Sequence, residues 1–306
     1  MKKILVIGSS NIDFISKMKK FPAIGETIEG LYFFQAMGGK GANQALAAHK
    51  LGGNVQFITS LGNDSNGNNT IQYYRDQKLD VSFSLRVDAE PSGTAMIWVD
   101  EQGDNSIVIN PGANKLLTPD YIVKLEKLIA EAYIVVLQME IPYETVKTVC
   151  EIAHKNNTKI LLNVAPAHKI DSEILQKIDI LVVNETEAET ITGCKIDVLD
   201  IESIVDKLIS QGAKSVILTL GKKGSLFKKD NMVISIPAFQ VEPKDSTAAG
   251  DIFCGAFSAE FSKYGNWKEA LIFATAAAAL SVTRVGAQPS IPTETEVRAF
   301  LCEKHS

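Results

Sequence analysis

Residues 245–251, Asp-Ser-Thr-Ala-Ala-Gly-Asp, stand directly ahead of a stretch in which Phe253, Phe257 and Phe261 recur every four residues, the apolar stripe of a helix. A helix beginning near Gly250 leaves the N–H groups of Ala248, Ala249, Gly250 and Asp251 without acceptors of their own. Those donors, with the positive end of the helix dipole, make an anion site that needs no cationic side chain. Small residues let the anion approach the backbone. A carboxylate beside such a hole suits phosphoryl transfer, which needs a base near an acceptor hydroxyl and donors where negative charge gathers. The plainer alternative is that Asp251 only stabilises the first turn of its helix.

A second candidate is Met-Gly-Gly-Lys-Gly-Ala-Asn-Gln-Ala, residues 37–45. Gly41 after the Gly-Lys pair rules out a Walker A loop, and neither this stretch nor "VIGSSNID" carries a dinucleotide fingerprint. It reads either as a glycine-rich strand-to-helix turn or as a place where Gly38, Gly39 and Gly41 bring backbone close to a small polar ligand, with Lys40 and Asn43 as donors. A third is "NIDF", residues 11–14. Asn11 and Asp13 follow the first strand, at the carboxyl end where open α/β sheets place ligands, and such an Asp can accept two hydroxyl hydrogen bonds; a turn-forming pair is the alternative. Glu140 ends another strand. Asn184 and Glu187 fit a strand end followed by a helix-capping pair. "TLGKKG", with Thr219, Gly221 and Gly224, could cradle phosphates or only turn a hairpin. The histidines (His49, His154, His168, His305) show neither metal-ligand spacing nor a serine partner, which argues against zinc and hydrolytic-triad chemistry.

The elements that must hold these residues alternate. Apolar runs such as "ILVIG", "VQFITSLG", "YIVVLQM", "TKILLNV", "IDILVVN" and "SVILTLG" are followed by amphipathic stretches, as a parallel sheet covered on both faces requires. Two segments break the pattern. Residues 12–36 and 93–110 contain strand-like stretches without a helix between them, and predict a small side sheet acting as a lid. After residue 215 come consecutive strands and then helices near 250–264, 267–283 and 294–302. The Ala-rich stretch at 274–279 belongs in a buried helix, and no apolar run approaches the ~20 residues of a membrane span.

With 306 residues, 45% hydrophobic and 22% charged, the chain can bury a large core. A net charge of −5 makes nucleic acid or an anionic membrane an improbable partner. Cys150, Cys194, Cys254 and Cys302 are too far apart for a C-x-x-C pair, so reduced, mostly buried thiols are expected in a cytoplasmic chain.

Taken in order, "GSSNID", "GGKGANQA", "GANKLL", the "QME" strand end, "NETEAE", "TLGKKG", "DSTAAGD" and "VTRVGAQPSIP" resemble the ribokinase-like, PfkB-type carbohydrate kinase family almost end to end. Ala248 stands where the family usually has the first Gly of Gly-Ala-Gly-Asp, a form its ribokinase subgroup shows. The resemblance implies one domain over 1–306 with a three-layer ribokinase-like α/β fold, a mainly parallel central sheet flanked by helices, and a small β-sheet lid. It implies ATP-dependent phosphorylation of D-ribose on its primary 5-hydroxyl, with Asp251 as base and the N–H groups of 248–251 as anion hole. The sugar would be held by Asn11, Ile12, Asp13, Gly39, Lys40, Gly41, Ala42, Asn43 and Glu140. ATP would be surrounded by Asn184, Thr219, Leu220, Gly221, Lys222, Lys223, Gly224, Gly250 and Thr275, with Glu187 positioning Mg²⁺ through water. Asp245, Thr247, Ser281, Arg284, Gly286 and Ser290 match a K⁺ site, and lid strands would pair in a homodimer. The alternatives are a related kinase for fructose, deoxyribose, a nucleoside or a sugar phosphate, and a sugar-binding regulatory protein without activity. A phosphorylated substrate would want extra Arg near the sugar motifs, and none is there.

Overall fold

The computed structural model describes residues 1–195 and 201–304. In chain order the first part contains β1 (Lys3–Ile7), β2 (Asn11–Lys17), β3 (Tyr32–Gly38), α1 (Lys40–Lys50), β4 (Asn54–Ile58), β5 (Ser60–Gly62), α2 (Ser65–Asp76), β6 (Leu85–Val87), β7 (Gly93–Val99) and β8 (Asn105–Asn110). The middle supplies α3 (Pro119–Val123), α4 (Glu126–Ala130), β9 (Ile134–Leu137), α5 (Tyr143–Lys155), β10 (Lys159–Asn163), α6 (Ser172–Leu175), β11 (Ile180–Asn184), α7 (Glu185–Thr192) and α8 (Ile201–Ser210). The last third adds β12 (Val216–Thr219), β13 (Ser225–Lys229), β14 (Met232–Ile236), α9 (Ala249–Tyr264), α10 (Trp267–Ser281) and α11 (Glu294–Lys304).

Eight strands form one sheet in the order β14-β13-β12-β11-β10-β9-β1-β4. β12 through β4 are parallel, and β13 and β14 add an antiparallel edge. Strand residues alternate between two buried layers. Ile4, Val6, Val136, Leu161 and Val182 pack with α1, α9 and α10, whereas Leu5, Ile7, Val135, Leu162 and Val183 pack with the helices from α3 to α8. With no solvent side, the strands read as unbroken apolar runs, which is why they stand out in the sequence.

The contact between α1 and α9 brings distant segments together. A Cβ on Gly255 would lie 2.6 Å from Ala47 Cβ and from the Gln44 carbonyl, so glycine alone allows this approach. Further along α9, Phe257 and Phe261 pack with Trp267 and Phe227. Glu260, 3% exposed, takes both arms of Arg298 on α11, at 2.8 and 2.5 Å.

The lid expected at 12–36 and 93–110 is a four-stranded sheet, β3-β2-β7-β8. It rises from the main sheet because β2 starts only a few residues after β1 ends. Its outer part is bare on both sides: consecutive residues point to opposite faces, yet Tyr32, Phe33 and Phe34 on β3 and Ile107, Val108 and Ile109 on β8 are all exposed.

Several expectations need correction. "VQFITSLG" is not one strand: it breaks at Thr59, and β5 pairs with β6, which has too little periodicity to be seen in the sequence. Helices α3, α4, α6 and α8 also escaped, the first three being one turn or little more. None of the four cysteines is in a disulfide, and of them only Cys150 and Cys254 are buried. His305 lies outside the described residues.

Candidate active site

Two helices begin at the crest of the sheet under the lid, and the fate of their first amides separates them. At α1 every early donor is spent on the protein. Lys40 N donates to Glu140 Oε2 at 3.0 Å, Gly41 N to Ser9 Oγ at 3.3 Å, and Ala42 N to the Ser9 carbonyl at 2.9 Å. Ser9 Oγ also donates to Glu140, at 2.6 Å. At α9 the Ala249 N–H reaches the Ser246 carbonyl at 3.2 Å, which corrects the expectation that all four amides of 248–251 are free. The N–H groups of Ala248, Gly250 and Asp251 have no acceptor among the described residues. Space above them is open: a Cβ on Gly250 would meet nothing within 4 Å, and its φ is not left-handed. The protein's own packing therefore gives no reason for glycine here, where it weakens a helix by about 1 kcal/mol relative to alanine. Ala248, the N-cap, holds φ 60° and ψ 10°, a left-handed conformation that alanine rarely adopts.

The glycines of 38–41 lie where β3 turns into α1. A Cβ on Gly38 would sit 2.1 Å from Asp13 Oδ2, one on Gly39 (φ +89°) 2.8 Å from Asn11 N, and one on Gly41 2.6 Å from Ser9 N. They let the chain approach itself, fitting α1 against the β1–β2 junction.

Beneath the lid lies a concentration of charge. Asp251 is 5% exposed and turns its carboxylate toward α1, where Asn43 Nδ2 donates to Oδ2 and Gln44 Nε2 to Oδ1, both at 3.0 Å. Asp13 is 9% exposed and accepts no hydrogen bond from any described residue. Burial, then the charges of Glu140 and Asp251, push its carboxyl up to about 7. An unpaired buried acid beside two others is costly to keep, and such groups cluster at functional sites. Lys40 is half-buried, and its ammonium is held above the usual lysine range chiefly by Asp251 against the opposing effect of burial, with help from Glu140 and Glu187. Asn11 is fixed by Asn114, which donates to its Oδ1 at 2.8 Å. Ile12, on the same strand, is buried.

On the other side of Asp251, Asn184 and Thr219 are register partners at the ends of β11 and β12. Glu187 and Asn184 form the capping box that the sequence pattern allows: Asn184 N and Nδ2 donate to the two carboxylate oxygens at 2.8 and 3.0 Å. Burial raises the Glu187 carboxyl, countered by the Asn184 backbone bond and Lys40. Leu220 to Gly224 turn the β12–β13 hairpin, with Gly221 and Gly224 at positive φ and the Lys222 and Lys223 side chains exposed. The Thr275 hydroxyl bonds back to the Leu271 carbonyl at 2.8 Å.

Behind α9, Asp245 Oδ1 accepts from Thr247 N and Oγ1, and Oδ2 from Gly286 N at 2.8 Å. Asp245 thus ties the loop ahead of the open amides to the stretch that carries Ser281, Arg284, Gly286 and Ser290. The hydroxyls of Ser281 and Ser290 bond to local carbonyls, and Arg284 pairs with Glu296 at 2.5 Å. Among the described residues, no group of three or more His, Cys, Asp or Glu side chains could hold a metal ion. The residues that sequence reasoning missed are Ser9, Gln44, Asn114, Gln138 and Asn163, all inside or beside motifs that drew notice for other members.

A family model described as pfkB family carbohydrate kinase matches residues 1–294. A ribokinase of Haemophilus influenzae is 39% identical over 98% of this chain and 98% of its own. A deoxyribokinase of Salmonella typhi is 37% identical, covering 97% and 98%. The structure of Arabidopsis thaliana ribokinase complexed with ribose and ATP superposes with a TM-score of 0.92 at 33% identity, covering 98% of each chain.

Proposed function

The chain belongs to the pfkB family of carbohydrate kinases, and from that premise we propose that it transfers the terminal phosphate of ATP to the primary 5-hydroxyl of D-ribose. One observation carries the reading. Of the two helix starts at the crest, only α9 leaves donors open, and the same turn carries a carboxylate. Phosphoryl transfer leaves a protein little covalent work, so a base and preorganised donors are most of what it needs. Asp251 takes the hydroxyl proton, while the amides of Ala248, Gly250 and Asp251 stabilise the charge on the group in transit.

Asn11, Ile12, Asp13, Asn43, Glu140 and the turn from Gly39 to Ala42 with Lys40 enclose the sugar. Asp13, unpaired and hard to ionise when empty, supplies acceptors for sugar hydroxyls. Asn184, the Thr219–Gly224 hairpin, Gly250 and Thr275 surround the nucleotide. Mg²⁺ would be carried largely by the phosphates, since the described residues offer no carboxylate cage; Glu187 would reach it through water. K⁺ would be held by Asp245, Thr247, Ser281, Arg284, Gly286 and Ser290, where it would steady the loop that leads to the open amides. The doubly exposed lid supports a homodimer in which one lid face covers the site and the other meets a partner lid. A strictly monomeric species at micromolar concentration would count against that pairing. Free thiols and the use of ATP fit a cytoplasmic enzyme.

A deoxyribokinase nearly as similar as the ribokinase keeps 2-deoxyribose as a second reading. The test is ADP release with ATP, Mg²⁺ and K⁺ across ribose, deoxyribose, fructose, adenosine and fructose 6-phosphate. Ribose is expected to give the highest kcat/KM. A preference for deoxyribose selects the second reading, and no release with any acceptor refutes both. Asp251→Asn should bind ribose yet lose at least ~100-fold in kcat.

A further inference from the structure

Gln44 sits on α1 with no solvent exposure, and each polar atom of its side chain is engaged. Nε2 donates to Asp251 Oδ1 at 3.0 Å and to Asn163 Oδ1 at 3.1 Å, while Oε1 accepts from Gln138 Nε2 at 2.6 Å. Asn163 passes its own Nδ2 to the Val182 carbonyl at 3.3 Å. Three amides from α1 and from the ends of β9 and β10 thus form a chain that terminates on the Asp251 carboxylate.

A side-chain amide keeps nearly the same shape when turned over, so its orientation is fixed by what its partners can accept. Both ends of this chain accept only. The Val182 carbonyl requires the Asn163 NH₂ group, which turns the Asn163 oxygen toward Gln44. Gln44 must then present its NH₂ to Asn163 and Asp251, which leaves its oxygen for Gln138. Turned over, it would set an oxygen against two acceptors. The arrangement is not free: Gln138 Oε1 is buried without a partner, and Gly8 must lack a side chain because a Cβ there would lie 1.9 Å from that oxygen. Apolar residues of similar volume would pack the crest without the orphaned oxygen, so the amides answer a requirement other than packing.

We propose that Gln44, oriented by Asn163 and Gln138, is a positioning residue for proton transfer: it holds Oδ1 of Asp251 as Asn43 holds Oδ2, and so fixes the carboxylate in one orientation from which its remaining lone pairs receive the proton. The inference rests on Asp251 acting as the base. In the step itself the O–H bond of the sugar's primary hydroxyl breaks and its proton goes to the Asp251 carboxylate. The hydroxyl oxygen forms the new P–O bond, and the bond from that phosphorus to the bridging oxygen of ATP breaks, its electron pair leaving with ADP.

The experiment compares wild type, Asp251→Asn, Gln44→Met, Gln138→Met and the Gln44→Met/Gln138→Met double variant, all as full chains checked for folding by circular dichroism. Methionine keeps the length of the side chain and removes the donors. Gln44→Met should lose about 10- to 100-fold in kcat, with KM for ribose and ATP within about twofold of wild type. Gln138→Met should lose less, again in kcat alone, and the double variant should be no slower than Gln44→Met, because Gln138 acts only through Gln44. Wild-type kcat in folded Gln44→Met, a loss carried by KM, or losses that multiply in the double variant would each overturn the proposal. If Gln44→Met does not fold, Gln138→Met decides: an unchanged kcat overturns it. A wild type inactive on every sugar, or an active Asp251→Asn, brings down the kinase or base reading beneath it, and is told apart from a failure of Gln44 alone.

Discussion

Replacing Asp13 by asparagine should make the empty protein more stable, by an amount that grows with pH. The carboxyl ionises near 3.8 in the unfolded chain and near 7 in the folded one, raised first by burial and then by Glu140 and Asp251. Between those two values the native state holds the proton more tightly than the unfolded state does, so ionisation costs stability progressively as pH rises through that window. Integrated over the shift, the charge on Asp13 costs about 4 kcal/mol at pH 8 and about 2 kcal/mol at pH 5. Asparagine has nearly the same shape and no charge to bury, so Asp13→Asn should recover most of this. Urea unfolding of both proteins, without sugar, at several pH values from 5 to 8 measures the difference directly. A stabilisation that rises by ~2 kcal/mol or more across that range is expected. A difference independent of pH, or a variant less stable than wild type at pH 8, would refute the account of Asp13 as a charge kept in the site at the expense of the fold.

The same carboxylate should make ribose binding depend on pH: with hydroxyls donating to ionised Asp13, the ribose Kd should weaken about tenfold from pH 8 to pH 6 by calorimetry, and a flat profile would count against it. Ala248→Gly should raise stability by about 0.5–1 kcal/mol, read from Tm, because glycine adopts the left-handed N-cap without strain; a loss would mean that alanine is not strained there. Arg298→Met, which strips the buried Glu260 of both its close donors, should cost about 2–4 kcal/mol, and adding Glu260→Gln should restore much of it; equal losses in single and double variants would show that the pair matters only for packing.

The sequence speaks clearly wherever one physical requirement governs a whole run of residues. The parallel strands have no wet face, so β1, β9, β10, β11 and β12 appear as unbroken apolar runs, and α5 and α9 declare themselves by period. The lid was legible because alternating strands with no helix between them fit nowhere in a doubly covered sheet. Asp251 and its amides could be read because capping rules state which groups a helix leaves unpaired. Gln44, Gln138 and Asn163 could not be read that way: Gln138 and Asn163 are single amides within apolar runs, Gln44 follows Asn43 in a glycine-rich turn, and the meaning of each lies in contacts with residues scores of positions away. Nor did "GGKG" reveal that its glycines serve the chain's own packing, since a missing Cβ looks the same whether ligand or protein fills the space.

The close seating of α9 on α1 through Gly255 has a consequence for how the enzyme is made. Asn43 and Gln44 emerge from the ribosome early, whereas the carboxylate they hold lies 208 and 207 positions downstream. At typical elongation rates of roughly 5–20 residues per second, a nascent chain therefore carries α1 for on the order of ten seconds or more before α9 exists to seat against it. Stalled or prematurely ended products that stop short of α9 therefore leave uncovered the face of α1, with Gln44 and Ala47, that α9 would pack against.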